Sequence, residues 1–144
     1  MNYLDTSALI KRFVEESGSA SVQALIAESG VVATSKIAYA EAYAGLTRRR
    51  REGHFSEKEY RDVCRNFEKE WRAYLRVDLR DDVLTLARDV IKRNSLRGFD
   101  AVHLASALHL ARGLGEQVVF VASDSRLLGA ARREKLQVWN PEAG

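Results

Sequence analysis

Four carboxylates stand where a soluble chain usually places apolar or small residues: Asp5 in NYLDTSAL, Glu41 in AYAEAYAG, Asp100 in RGFDAVHLASAL and Asp124 in FVASDSRLL. Withdrawing a carboxylate from water is costly, or raises its pKa until it protonates, unless a partner compensates. A divalent cation is such a partner. Oxygen donors with no thiolate and little imidazole suit a hard ion, Mg2+ or Mn2+, rather than zinc or copper. Magnesium is usually held by one or two carboxylates and keeps several waters, so four acids could hold two ions or reach one through water. Such an ion lowers the pKa of bound water, and the resulting hydroxide can attack phosphorus in line.

Each acid also has a plainer reading. Asp5 and Asp124 follow strand-like runs and precede helical ones, where aspartate is a favoured N-cap. Glu41 lies within a helical pattern, which glutamate suits. Around it Ala38, Ala40, Ala42, Ala44 and Gly45 offer a face of small residues that a helix or a polynucleotide could approach closely. Asp100 heads a helical run in which Ala101, Leu104, Ala105 and Leu108 form an apolar stripe, and capping is again the rival. The positive end of that helix would keep its carboxylate ionised, the state a metal needs. His103 lies one turn further and could join Asp100, whereas His109 cannot share its face.

The elements that must position these groups alternate. Strand-like runs at 2–5, 31–33, 76–79, 117–122 and 136–139 are interleaved with helical patterns at 7–14, 20–28, 35–51, 56–75, 81–94, 100–111 and 126–133. Gly30, Gly53 and Gly98 punctuate them. Such alternation implies an α/β fold with a mainly parallel sheet, whose ligands bind outside the carboxyl ends of the strands. Asp5 and Asp124 fall at that edge, and they project together if their strands are neighbours. A stripe of Tyr60, Cys64, Phe67, Trp71 and Tyr74 at helical spacing reads first as core and second as a surface for a second copy or a partner.

With 144 residues, a single domain with one core is expected. No run approaches a membrane span, the N-terminus carries charge where a signal peptide would be apolar, and Cys64 is the only cysteine, so a cytoplasmic setting is expected. A net charge of +3 permits nucleic-acid binding without requiring it. Arginine predominates over lysine, and Arg48, Arg49, Arg50 and Arg51 form a block that could complement a helix dipole or contact phosphates. The chain has no G-x-S-x-G elbow, P-loop or G-x-G-x-x-G fingerprint, which leaves metal-assisted hydrolysis as the chemistry to weigh.

LDTSAL, the AEA glutamate, LRGFDAVHLASAL, and SDSRLL before a last strand and Asn-Pro occur in an order and spacing that resemble a PIN-domain ribonuclease of the VapC toxin type. The likeness spans essentially the whole chain. It implies a three-layer α/β/α fold with a mainly parallel central sheet. It further implies that Asp5, Glu41, Asp100 and Asp124 hold Mg2+ or Mn2+ for cleavage of single-stranded RNA, and that a homodimer meets a cognate antitoxin covering the groove. The hydroxyls after the first acid match Thr6 and Ser7 as helpers, and Arg97 and Ser123 are candidates for contacts to the acids or substrate. Where the family often has a threonine two residues before the last acid, this chain has Ala122. Two other classes stay open: a catalytically silent RNA- or antitoxin-binding module on the same fold, and a receiver-like signalling domain. The second would need a lysine after a late strand, where Arg126 stands instead.

Overall fold

Tyr3 and Leu4 lie next to each other on a three-residue strand, β1 (Asn2–Leu4), and join different halves of the core. Successive side chains on a strand point to opposite faces, so a sheet buried on both sides needs apolar residues in both phases. The neighbouring strands repeat the pattern: Phe120 and Ala33 side with Tyr3, whereas Val121 and Val32 side with Leu4. Tyr3 and Phe120 stack with their ring centroids 5.5 Å apart.

In this computed structural model, which describes residues 1–143, β1 is followed by α1 (Thr6–Ile10), α2 (Ser19–Ser29), β2 (Val32–Ser35), α3 (Ile37–Arg51) and α4 (Glu57–Trp71). Then come β3 (Leu75–Val77), α5 (Asp81–Arg93), α6 (Gly98–Leu114), β4 (Val119–Val121), α7 (Ser125–Arg133) and β5 (Gln137–Trp139). All strands are parallel, in the order β3-β2-β1-β4-β5. The chain therefore moves outward from β1 on one side and resumes on the other with β4. That reversal opens a crevice beyond the carboxyl ends of β1 and β4, as parallel sheets do at a switch of strand order.

Helices α1, α3 and α4 cover the Leu4 face, and α5, α6 and α7 the Tyr3 face, giving the expected three-layer α/β/α arrangement. Phe67, Trp71 and Tyr74 are buried in the first layer, with Tyr60 and Cys64 half-buried against it, so the aromatic stripe is core. Ser56 and Glu59 start α4 with a reciprocal capping box. Some boundaries differ from the sequence reading. The helix predicted at 56–75 stops at Trp71, because Leu75 is needed to pair with Ala33 in the sheet. The one predicted at 7–14 stops at Ile10, and the one predicted from Asp100 starts at Gly98. Among the described residues no helix is long and apolar enough to cross a membrane.

One ion-pair cluster ties α5 to the end of α7. Glu134 accepts from Arg93 at 3.0 and 2.8 Å and from Asn94 at 2.8 Å. These bonds, Arg93 first, hold its carboxyl below the usual range. A carboxylate lowered in the folded state adds stability that is present above its unfolded value of about 4.3 and disappears as pH falls through the folded value. We expect Glu134→Gln to lower stability by about 1 kcal/mol at neutral pH, since Arg93 is half in solvent. Chemical denaturation at pH 7 and at pH 3 measures this; a difference that persists undiminished in acid would contradict the assignment.

Candidate active site

The segment leaving β1 builds the first part of the crevice. Asp5 extends the sheet by one bond, from its N–H to the carbonyl of Val121 at 3.1 Å, and the chain then turns into α1. Its Oδ1 caps that helix by accepting from the N–H of Ala8 at 2.9 Å, and the Ser7 hydroxyl donates to both carboxylate oxygens at 3.0 and 3.1 Å. Asp124 does the same for α7, with Oδ1 accepting from the N–H groups of Arg126 and Leu127 at 2.9 and 3.1 Å. Its other oxygen, Oδ2, is 3.9 Å from the Arg97 guanidinium. Capping and a place in the crevice are thus compatible, because a carboxylate has two oxygens.

Asp100 is no cap. It sits in the first turn of α6, whose N-cap is Arg97 without a side-chain bond, and its Oδ2 is 3.5 Å from Arg97 Nε. The same arginine therefore reaches towards two acids while remaining 84% exposed. Glu41 comes from the second turn of α3. The small residues around it do not form a single face: Ala38, Ala42 and Gly45 are buried, whereas Ala44 faces the crevice and Ala40 is exposed. A Cβ on Gly45 would lie 2.9 Å from Ile10 Cδ1, so the glycine leaves room for the tip of that side chain between α1 and α3.

All four acids line one cavity of about 640 Å³, together with Thr6, Ser7, Arg97 and His103. Ser123 does not line it. Its hydroxyl is buried away from the cavity, on the side of Glu142, because consecutive residues of the extended segment after β4 point in opposite directions. Arg48 and Arg49 of the arginine block also border the cavity, as does Phe99, which the sequence did not single out. Most of the arginine block is neutralised locally at the end of α3: Arg48 faces Glu52 at 3.6 Å, Arg49 meets Glu16 at 3.0 Å, and Arg50 lies 4.2 Å above the Tyr60 ring.

His103, expected as a possible companion of Asp100, turns instead to Glu41. Its ring is buried, with Nε2 2.8 Å from Glu41 Oε1 and 3.0 Å from Thr6 Oγ1, and Nδ1 2.8 Å from the Tyr3 hydroxyl. Thr6 also donates to Glu41. A proton on Nε2 serves Glu41 while Nδ1 accepts from Tyr3, so the imidazole orients the glutamate and has no nitrogen left for an ion. The spacing of His103 one turn beyond Asp100 placed it near the site; its use as a strut depends on α3 lying alongside α6, which local sequence does not reveal.

Electrostatics separates the two inner acids. Burial pushes the Asp5 carboxyl up, against the opposing influence of His103 and the bonds from Ala8 and Ser7. Burial also works upward on Glu41, but the bonds from His103 and Thr6 outweigh it and hold that carboxyl below its ordinary value. Among the described residues no three His, Cys, Asp or Glu side chains converge as a ready-made ligand cluster. The bonds explain this: Glu41 is held by Thr6 and His103, Asp5 by Ser7 and Ala8, and the outer pair faces Arg97. The donor set nevertheless suits a hydrated hard cation, which needs only one or two direct carboxylates and accepts the rest through water.

Residues 3–132 match the PIN domain family. This chain belongs to that family, and it is of the VapC type. Ribonuclease VapC45 of Mycobacterium tuberculosis (strain CDC 1551 / Oshkosh) is 38% identical to this PIN domain over 106 residues, which is 74% of each chain. Among solved structures, the toxin-antitoxin complex from Klebsiella pneumoniae contains a chain with a TM-score of 0.69 at 20% identity, covering 98% of both chains. FitAcB from Neisseria gonorrhoeae gives a TM-score of 0.67 at 18% identity, with 98% of both chains covered. These structural likenesses establish that the PIN domain's fold recurs where little sequence is shared.

Proposed function

We propose that this PIN domain is a Mg2+- or Mn2+-dependent endoribonuclease acting on single-stranded RNA, and the toxin of a toxin–antitoxin pair. The observation that carries the reading is the convergence of Asp5, Glu41, Asp100 and Asp124, from four separate elements, on one cavity at the carboxyl edge of the sheet. Asp5, Asp100 and Asp124 would hold the ion, with Glu41 reaching it directly or through water. When bound, the cation supplies an activated water and neutralises the phosphate. The protein's own groups do the positioning. Ser7 and the Ala8 N–H fix the Asp5 carboxylate, His103 and Thr6 fix Glu41, and Arg97, facing the outer acids, offers a guanidinium to a phosphate oxygen. The ribonuclease named among the relatives supports the substrate class, and the toxin-antitoxin complex among the structural neighbours supports an antitoxin partner. A homodimer is part of the same reading.

The test is direct. Purified chain, free of antitoxin, is incubated with labelled single-stranded RNA in magnesium, in manganese and in excess chelator. Cutting is expected with either metal and should vanish with chelator. Cutting that survives chelation overturns the metal role, and no cutting across varied RNAs despite measured metal binding favours a silent module that binds RNA or antitoxin.

A further inference from the structure

The acid cavity is the middle of a longer depression with two unlike arms. On one side it opens into a space of about 660 Å³ that shares Arg48, Arg49 and Glu16, but whose walls also carry Glu15, Glu52 and Glu59. Acids there outnumber the arginines, and Arg48 and Arg49 already face Glu52 and Glu16. A polyanion gains little from that arm. On the other side a cleft of about 370 Å³, bounded by Arg97, Asp100 and Asp124 of the cavity, continues past Ser125 and Arg126. It merges with a further space of about 410 Å³ that runs over Gly129 to Arg133. Among the described residues, this arm has no acid in its walls beyond Asp100 and Asp124.

The arginines of this arm lie along one side of α7. Arg126 is exposed and has no ion pair among the described residues, and Arg133 is steadied by a bond from Nε to Asn94 Oδ1 at 2.8 Å. Seven residues separate them, about 10 Å along a helix axis, with glycine between so that no side chain obstructs the groove. Two guanidinium groups at that separation, leading away from a phosphodiester-sized cavity, match the phosphates of an extended strand. We propose that single-stranded RNA leaves the acid cavity along the α7 arm, with Arg126 and Arg133 taking phosphates beyond the scissile one. The inference rests on the ribonuclease reading and adds a direction to it.

The full chain is titrated with a fluorescein-labelled single-stranded oligouridine in magnesium, on an Asp5→Asn background so that the strand is not cut, and anisotropy is followed across a range of salt. The slope of log K against log salt should shrink by about 0.7 with Arg126→Ala, and by about twice that when Arg133→Ala is added. Arg126→Lys should keep the slope. Arg132→Ala removes the same charge from the same helix outside the cleft and should also keep it. If the background protein binds but the two alanines leave the slope unchanged, or Arg132→Ala lowers it equally, the path is wrong and the arginine face is left to an acidic protein partner. If the background protein binds no RNA at any salt, the ribonuclease reading itself fails and the path falls with it.

Discussion

Asp5→Asn should cut RNA on the order of 10³-fold more slowly and yet unfold at a higher temperature than the parent chain when both are held in chelator. Activity falls because a neutral amide replaces the most deeply buried of the four carboxylates, which is 5% exposed. Stability rises for the opposite reason. Burial lifts this carboxyl in the folded state, so folding favours its protonated form. The contribution is favourable below the unfolded value of about 3.9 and becomes a penalty as pH rises through the folded value. The penalty grows as pH rises towards neutrality, and asparagine, which carries no charge, removes it while still capping α1. Magnesium should reverse the ranking, since an ion held only by the folded parent adds about 2.7 kcal/mol at a hundred times its Kd. Thermal unfolding at pH 7 with chelator and with magnesium reads both effects; a variant that melts below the parent without metal would show that Asp5 is not under strain.

His103→Leu is expected to be costly twice. Leucine fills much of the space but deprives the buried Tyr3 hydroxyl of its imidazole partner and removes a donor from Glu41. Buried polar groups left without partners predict a loss of about 2–4 kcal/mol in unfolding free energy. In the folded fraction, Glu41 would lose the bond that holds its carboxyl low, and residues that orient ligands typically govern about 10–100-fold in metal affinity. Manganese titration by calorimetry separates the two effects. His103→Gln, which can still donate to Glu41, should recover much of the affinity. If the leucine variant binds manganese as tightly as the parent, His103 is core and nothing more.

Which parts of this arrangement were legible in the sequence follows from how local each cause is. Asp5 and Asp124 are placed by the strand before them and the helix after them, and strand–acid–helix is a pattern a single chain displays. The α/β class with a mainly parallel sheet followed from alternation of the two periodicities, and its three layers from the family resemblance. The exact end of α4 did not, because it is set by pairing of Leu75 with Ala33, distant in sequence. The same distinction applies within the site. Thr6 and Ser7 entered through the family resemblance and line the cavity, whereas the strut role of His103 requires α3 and α6 to meet, and Ser123, named for its place beside Asp124, does not line it. Arg126 was visible as a residue but not as part of a groove, which exists only once α7 lies beside the segment at 94–97.

The order of the strands also governs when the site is assembled. β1 is central, yet its β4 neighbour and the Asp124 that follows are made long after Asp5 has left the ribosome. Until that late stretch emerges, the first strand lacks half of its backbone partners, Asp100 has no fixed opposite number, and Asp5 has no enclosed cavity to share. A chain interrupted before β4 therefore carries Asp5, Glu41 and Asp100 without the wall that gathers them, and the cavity closes only once β4 and Asp124 have followed.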